Sequence, residues 1–339
     1  MDSRRLDFIL DSFPSLTILV VGDFFLDKYL LIERALGETS LETGLEAHQV
    51  VEARCSPGAA GTVTSNLRAM EVAVVALGVM GDDGEGYELK RALRATGVDV
   101  SALMERRDRF TPTYTKPMLR ELDGSTHELN RLDIKNRSPL PAEAEDEIIL
   151  RLRQIVPHVQ GVIVADQAQE CNCGVITDRV RDEIAALAQA HPSIVFAADS
   201  RERIGLFRHI VLKPNAREAT RAIYPERAVE LDRAGVEACG AELARRNGRP
   251  VFLTLGADGM VVFHAGGSTH VPACPVRGPI DIVGAGDSTM AGIVAVLCSG
   301  ATPPEAAFIG NLAASVTIHQ IGTTGAASRA QIAKAFANL

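Results

Sequence analysis

Apolar and polar positions along the chain follow two periods in turn. Short β-branched and aliphatic runs, LTILVVGD (16–23), VAVVALGVM (72–80), GVIVAD (161–166), SIVFAAD (193–199), HIVLKPN (209–215), VFLTLG (251–256) and GMVVFHA (259–265), read as strands. Between them, residues 58–70, 85–96, 174–190 and 230–246 carry apolar side chains at helical spacing, and two further helical stretches close the chain. That alternation predicts an α/β fold, with βα units building a mostly parallel sheet of about eight or more strands, covered on both faces. PAEAEDEIILRLRQIV (141–156) reads as a further helix with a solvated charged face, its acids from Glu143 to Glu147 near the positive end of the dipole.

Two segments, 31–56 and 110–134, break the rhythm. They are polar and alternating, and the second carries a turn signal at Asp123-Gly124, so hairpin strands are expected there rather than crossover helices. They would form a small β appendage. No repeat and no low-complexity linker divides the chain, so one domain over 1–339 is expected, with both segments inserted in it as a lid.

Composition narrows the class. Apolar residues at 46% and charged residues at 23% exclude disordered and fibrous chains. A net charge of −8 with a pI near 5.6 speaks against nucleic acid and acidic membrane surfaces as partners, and leaves an anionic small ligand open. Six scattered cysteines suit reduced thiols and a cytoplasmic location. CNC at 171–173 has no second Cys/His cluster at zinc spacing. The N-terminal MDSRRLDFILDSF has too short an apolar run for a signal peptide, and no uncharged apolar stretch of roughly 18 residues predicts a membrane span.

The chemistry concentrates in DIVGAGDSTMAGIVAVL, which begins at Asp281 and sets an acid at the mouth of an apolar helix. In an open α/β sheet, ligands bind beyond the carboxyl ends of the strands. Gly284, Ala285 and Gly286 are small enough for the backbone to approach a ligand, and unpaired amides at a helix start bind phosphate oxygens. Asp287 would then accept a proton from a hydroxyl while the loop holds developing negative charge, which suits phosphoryl transfer to an alcohol. A plain helix-capping acid after turn glycines fits the same four residues equally well. The stretch is neither a Walker loop nor a G-x-G-x-x-G fingerprint after the first strand, which disfavours a Rossmann-type oxidoreductase.

Other segments add to this. Asp23 and Asp27 in VVGDFFLDKY stand at the carboxyl edge of the first strand, as acceptors for sugar hydroxyls or as caps. SPGAAGTVTSNL (56–67) offers a second set of small residues before a helix, Asn215 and Glu218 lie three apart in KPNAREA, and TLGADG (254–259) is a tight turn. Together they describe a nucleotide site.

With GDFFLDKY, LNRLDIKN, LKPNAREA, DIVGAGD and IGTTGAAS in this order, the chain resembles the ribokinase-like (PfkB) carbohydrate kinases over essentially its whole length, and within them the heptose-phosphate kinases. The resemblance implies a Rossmann-like three-layer αβα core with a β lid over the sugar, a homodimer formed through that lid, and ATP-dependent phosphorylation of a sugar or sugar phosphate. It makes Asp287 the catalytic base and Gly284, Ala285 and Gly286 the anion hole. Asp27, with Asp23, Gly58 and Thr62 nearby, would hold the sugar, and Asp166 would stand on the substrate side. Asn215 and Glu218 would act on Mg2+ and phosphate through water, Thr254, Gly256 and Gly259 would form the nucleotide-side turn, and Asn311 would line the adenine pocket. Arg131 and Asp133 are candidates for substrate contact, or equally an exposed ion pair on a strand.

Three positions depart from the family pattern. Gly58-Ala59-Ala60-Gly61-Thr62 replaces a Gly-Gly loop followed by Asn, Ile282 stands where a small polar residue shapes a monovalent-cation site, and the neighbours of Asp166 in ADQAQECNCG differ from those in heptose-phosphate kinases. Potassium would therefore have backbone carbonyls alone to bind it, and heptose phosphate is not assigned as the acceptor. The altered sugar loop also leaves a second reading open, a catalytically slow nucleotide- or sugar-binding protein on the same fold.

Overall fold

The structure is a computed structural model that describes residues 1–226, 229–322 and 324–339. The first half contains α1 (Ser3–Ser12), β1 (Thr17–Gly22), β2 (Phe24–Glu33), β3 (Glu38–Thr39), β4 (Glu46–Ala47), β5 (Val50–Ala59), α2 (Ala60–Ala69), β6 (Ala73–Gly81), α3 (Gly84–Ala95), β7 (Leu103–Arg106), β8 (Thr113–Arg120), β9 (Thr126–Glu128), β10 (Leu132–Ile134) and α4 (Ala142–Ile155). The second half contains β11 (Gly161–Asp166), α5 (Asp178–Ala190), β12 (Val195–Ser200), β13 (Val211–Leu212), α6 (Ala216–Ile223), α7 (Arg233–Asn247), β14 (Val251–Thr254), β15 (Met260–His264), β16 (Gly267–Val271), α8 (Ala285–Cys298), α9 (Pro303–Thr317) and α10 (Arg329–Ala337).

Nine strands form the main sheet in the order β16-β15-β14-β13-β12-β11-β1-β6-β7, parallel from β14 to β7 and antiparallel where β15 and β16 close one edge. Strands covered on both faces read as continuous apolar runs, and β1 shows why. Its Ile18 and Val20 enter one core with residues of α1, α2, α8 and α9, while Leu19 and Val21 enter another with residues of α4, α5 and α7. The result is a three-layer αβα stack. Helix α8 lies between α2 and α9 and buries every residue from Ser288 to Val296, so the start of α8 stands on a rigid base. Among the described residues, no helix is long and apolar enough to cross a membrane.

A second sheet, β10-β8-β2-β5 with β9 paired to β8, forms the lid. Its β8–β9 hairpin turns through Gly124 at φ +83°, with the Asp123 carboxylate accepting the Ser125 amide. The lid begins earlier than the pattern predicts. Gly22 has φ +149°, and a Cβ there would meet the Ala165 carbonyl oxygen at 2.2 Å, so only glycine lets the chain leave the core at that point. One residue later β2 starts at Phe24 rather than near residue 31. Asp27 is therefore not at the edge of a core strand; it lies inside a lid strand, opposite Ser56 of β5 and Tyr114 of β8.

Candidate active site

Residues Ile282 to Ala285 form a tight turn in which the Ala285 amide donates to the Ile282 carbonyl at 3.2 Å. Gly284 occupies its third position with φ +81° and ψ −1°, the values a type II turn requires and glycine supplies without strain. This corrects the expected anion hole. The Ala285 N–H is spent inside the turn, whereas the Gly286 and Asp287 amides, in the first turn of α8, have no acceptor among the described residues. Two amides with the dipole of a 14-residue helix behind them therefore stand unpaired at the start of α8.

Asp287 is partly exposed, and its carboxyl pKa is pushed up to about 7, first by burial and then by the charge of Asp199, with Lys213 and Arg201 opposing and Asp27 adding to the rise. These side chains come from β12, the segments after β12 and β13, the start of α8 and the lid strand β2, so they converge where the carboxyl ends of core strands meet the lid. Lys213 is buried and pairs with the buried Asp199 at 2.8 Å.

On the lid side, Asp27 is 8% exposed. Lys116 of β8 places its Nζ 3.1 Å from Asp27 Oδ1 and donates to the Tyr29 hydroxyl at 3.0 Å. The other oxygen, Oδ2, lies only 2.6 Å from where a Cβ on Gly58 would be, so glycine at 58 is what admits the carboxylate. Ala59 follows with φ +53° and ψ −117° at the start of α2, a region where a Cβ is strained. Replacing Ala59 with Gly is expected to raise the unfolding free energy by about 1 kcal/mol, read as a later denaturation midpoint in urea. An unchanged or earlier midpoint contradicts the strain. Thr62 is buried; its hydroxyl faces the Pro57 carbonyl at 3.5 Å and its methyl lies beside Gly284, so it belongs to the loop wall.

The residues expected on the nucleotide side also come together. Asn215 caps α6, its side chain accepting the Glu218 amide at 2.9 Å while the Glu218 carboxylate accepts the Asn215 amide at 2.8 Å, a complete capping box. Burial and the nearby Asp199 hold the Glu218 carboxyl well above the ordinary glutamate range, against the pull of Lys213. Thr254 bridges to Asn215, and the turn that follows carries Gly256 at φ +61° and Gly259 at φ +83°. A Cβ on Gly259 would lie 2.2 Å from the Val271 carbonyl oxygen, the same carbonyl that Asn311 of α9 binds at 3.2 Å along with that of Pro272 at 3.0 Å. Asn311 thus pins the chain where it leaves β16.

Three expected substrate residues are engaged elsewhere. Asp23 accepts the amides of Gln167, Ala168 and Val175, each at 2.8 Å, and so ties the loop after β11 to the lid's root. Asp166 is buried, accepts the Ser200 hydroxyl and is clasped by Arg203; burial raises it to about 6 against that guanidinium. Arg131 forms an exposed bidentate pair with Asp133 and lies 4.2 Å over the Tyr114 ring. Sequence reasoning missed Lys116, Asp199, Arg201 and Lys213. A strand signal existed for Lys213, a lysine following the buried Val211 and Leu212 at the ligand-binding end of a parallel strand.

Comparisons with known proteins bear on the family and the fold. The bifunctional protein HldE of Desulfatibacillum aliphaticivorans is 28% identical over 314 residues, covering 92% of this chain and 61% of that protein. HldE of Wolinella succinogenes is 29% identical over 321 residues, covering 94% and 64%. The chain thus spans less than two thirds of the length of these curated relatives. Among solved structures, Arabidopsis thaliana ribokinase complexed with ribose and ATP superposes with a TM-score of 0.67 at 17% identity, covering 94% of this chain and 98% of that one. Phosphofructokinase-2 from Escherichia coli in complex with potassium gives 0.71 at 16% identity, covering 95% and 99%. These likenesses show a shared fold. The profile described as "pfkB family carbohydrate kinase" matches residues 26–330, and the chain belongs to that family.

Proposed function

We propose that the protein transfers the γ-phosphoryl group of ATP to a hydroxyl of a sugar or sugar phosphate, with Asp287 as general base. The observation that carries this reading is the Asp287 carboxyl, raised to about 7, beside two unpaired amides at the start of α8 and within the field of Asp27 on the lid. The solved relatives point the same way, one holding ribose with ATP and another, E. coli phosphofructokinase-2, holding fructose-6-phosphate.

The steps follow from the residues. Asp27, fixed by Lys116 and walled by Gly58, accepts hydrogen bonds from acceptor hydroxyls and holds one of them in line with the donor. Asp287 takes the proton of that hydroxyl as its oxygen bonds to the γ-phosphorus and the bond to the β,γ-bridging oxygen breaks, releasing ADP. The Gly286 and Asp287 amides bind the oxygens of the phosphoryl group in flight. Glu218 and Asn215, hard oxygen donors locked by their capping box, fit Mg2+ held through water. When bound, Mg2+ neutralises charge on the ATP phosphates. A monovalent cation has main-chain carbonyls alone near 282, where the Ile282 side chain is apolar and exposed.

ATP as donor fits a cytoplasmic protein. Leu36, Leu41, Leu45 and Leu132 expose apolar surface on the lid and on the β3–β4 segment between β2 and β5, which fits a homodimer formed through that face. A monomer mass in sedimentation equilibrium would reject the dimer. The kinase reading is tested by measuring ADP release with ATP and Mg2+ across pentoses, hexoses, heptose phosphates and nucleosides. Turnover with a sugar or sugar phosphate is expected, with kcat/KM falling as pH drops below about 7, because the base must be deprotonated. No turnover with any of them, together with no calorimetric binding of ATP, would reject it.

A further inference from the structure

Lys213 has no role in the steps above, yet it is 4% exposed and sits at the centre of the site. Its backbone amide donates to the Ala198 carbonyl at 3.1 Å, which continues the β12–β13 ladder and fixes where the side chain leaves the sheet. The ammonium pairs with Asp199, one strand away, at 2.8 Å; among the described residues Asp199 is the one carboxylate in ion-pair range. An ammonium carries three N–H donors, and a single such partner leaves others to be used.

The ammonium lies close to Gly286. A Cβ built on Gly286 would lie 3.5 Å from Lys213 Nζ, so the charge rests directly against the first turn of α8, beside the two amides that have no acceptor. A strand-to-strand ion pair needs no such contact. A buried ion pair is also weak evidence of stabilisation, because desolvation offsets the attraction, so retaining one at this point calls for another use. Around it stand Asp287, Glu218 and Asp199, all carboxylates, into which a triphosphate must bring still more negative charge. Lys213 is the buried cation placed to offset it.

We propose that Lys213 is a further catalytic residue, whose ammonium donates to an oxygen of the γ-phosphoryl group of ATP across Gly286 and keeps that contact as the group transfers. The inference rests on the kinase reading and adds a protein-borne positive charge to it. No proton moves at Lys213. Its charge compensates the phosphoryl oxygens, and its bond to Asp199 holds it in place. Because the contact is to the γ-phosphoryl group, ADP does not engage it.

Nucleotide binding tests this without a sugar. Calorimetry with Mg2+ compares ADP and β,γ-methylene-ATP on the wild type, on Lys213→Gln, which keeps a donor for Asp199, and on Lys213→Met/Asp199→Asn, which removes both charges and leaves neither buried alone. Affinity for β,γ-methylene-ATP is expected to fall at least about tenfold in each folded variant while ADP binding stays within about twofold. Turnover with the sugar found by the screen should fall by a larger factor than its KM rises. Equal losses for both nucleotides, or none, overturn the proposal. A wild-type crystal structure with β,γ-methylene-ATP decides it independently of the variants: Nζ within about 3.2 Å of a γ-phosphoryl oxygen supports it, and a longer separation refutes it. If the wild type binds neither nucleotide, the kinase reading itself falls; if it binds both and the variants discriminate between them as it does, only the role of Lys213 falls.

Discussion

Asp287→Asn should lower kcat about 10³-fold while the KM for ATP changes only a few-fold. The asymmetry follows from the geometry. Asparagine keeps the shape of the side chain and leaves the Gly286 and Asp287 amides in place, so the nucleotide phosphates lose little. It cannot accept the hydroxyl proton, and that loss falls wholly on the transition state. Turnover within about tenfold of the wild type would remove Asp287 from the role of base.

The same substitution should stabilise the protein, and the pH at which it does so is set by linkage. In the folded state the Asp287 carboxyl is raised from 3.8 to about 7, chiefly by burial, so the folded protein binds this proton more tightly than the unfolded chain. Its contribution is fully present below the unfolded value and is lost as pH rises through about 7. At pH 8 the wild type holds a carboxylate in an unfavourable place. Asp287→Asn then gains on the order of 2 kcal/mol, allowing for solvent at a partly open site. At pH 5, about one unit above the unfolded value, the gain should be less than half of that at pH 8, and a gain of equal size at both pH values would show that the carboxyl is not raised.

The legibility of this molecule depends on the range over which each feature is determined. The core strands are apolar on both faces, as β1 shows, so their runs and the helical segments between them are local signals. The turn into α8 is local too: glycine at 284 for a type II turn, then an acid in the first turn of a helix. Asn215 and Glu218 are legible as a pair, although their spacing is also that of a capping box, and the structure uses it so. What the sequence hides is set by pairing across the lid. Asp27 and Lys116 are 89 positions apart and meet because β2 and β8 run parallel in a register that places Lys116 opposite Tyr29. The early start of the lid turns on Gly22, whose missing Cβ is explained by a carbonyl in β11. Lys213 and Asp199 meet across β12 and β13, so their pairing is visible only once strand order is known.

Gly58→Ala and Asp27→Asn should damage the acceptor side by different routes to a similar extent. Asp27→Asn removes a charged acceptor and leaves Lys116 half-buried without its carboxylate; the loss of one or two charge-assisted hydrogen bonds to hydroxyls, about 3 kcal/mol, lowers kcat/KM roughly 10²-fold. Gly58→Ala keeps both charges. Its methyl would lie 2.6 Å from Asp27 Oδ2, closer than a Cβ contact permits, and since Lys116 holds the other oxygen at 3.1 Å the carboxylate can only swing as a body. A displacement of about 1 Å in a positioning group costs about 10²-fold in rate. In both variants the KM for ATP should stay within a few-fold, since neither residue touches the α8 amides or the Asn215–Glu218 cap. The two also separate in combination. If the methyl acts only through the carboxylate, the double variant Gly58→Ala/Asp27→Asn should be little worse than Asp27→Asn alone, because residues that act as a unit are not additive. Additive losses would mean that Gly58 meets the acceptor directly and that Asp27 is not the group it serves.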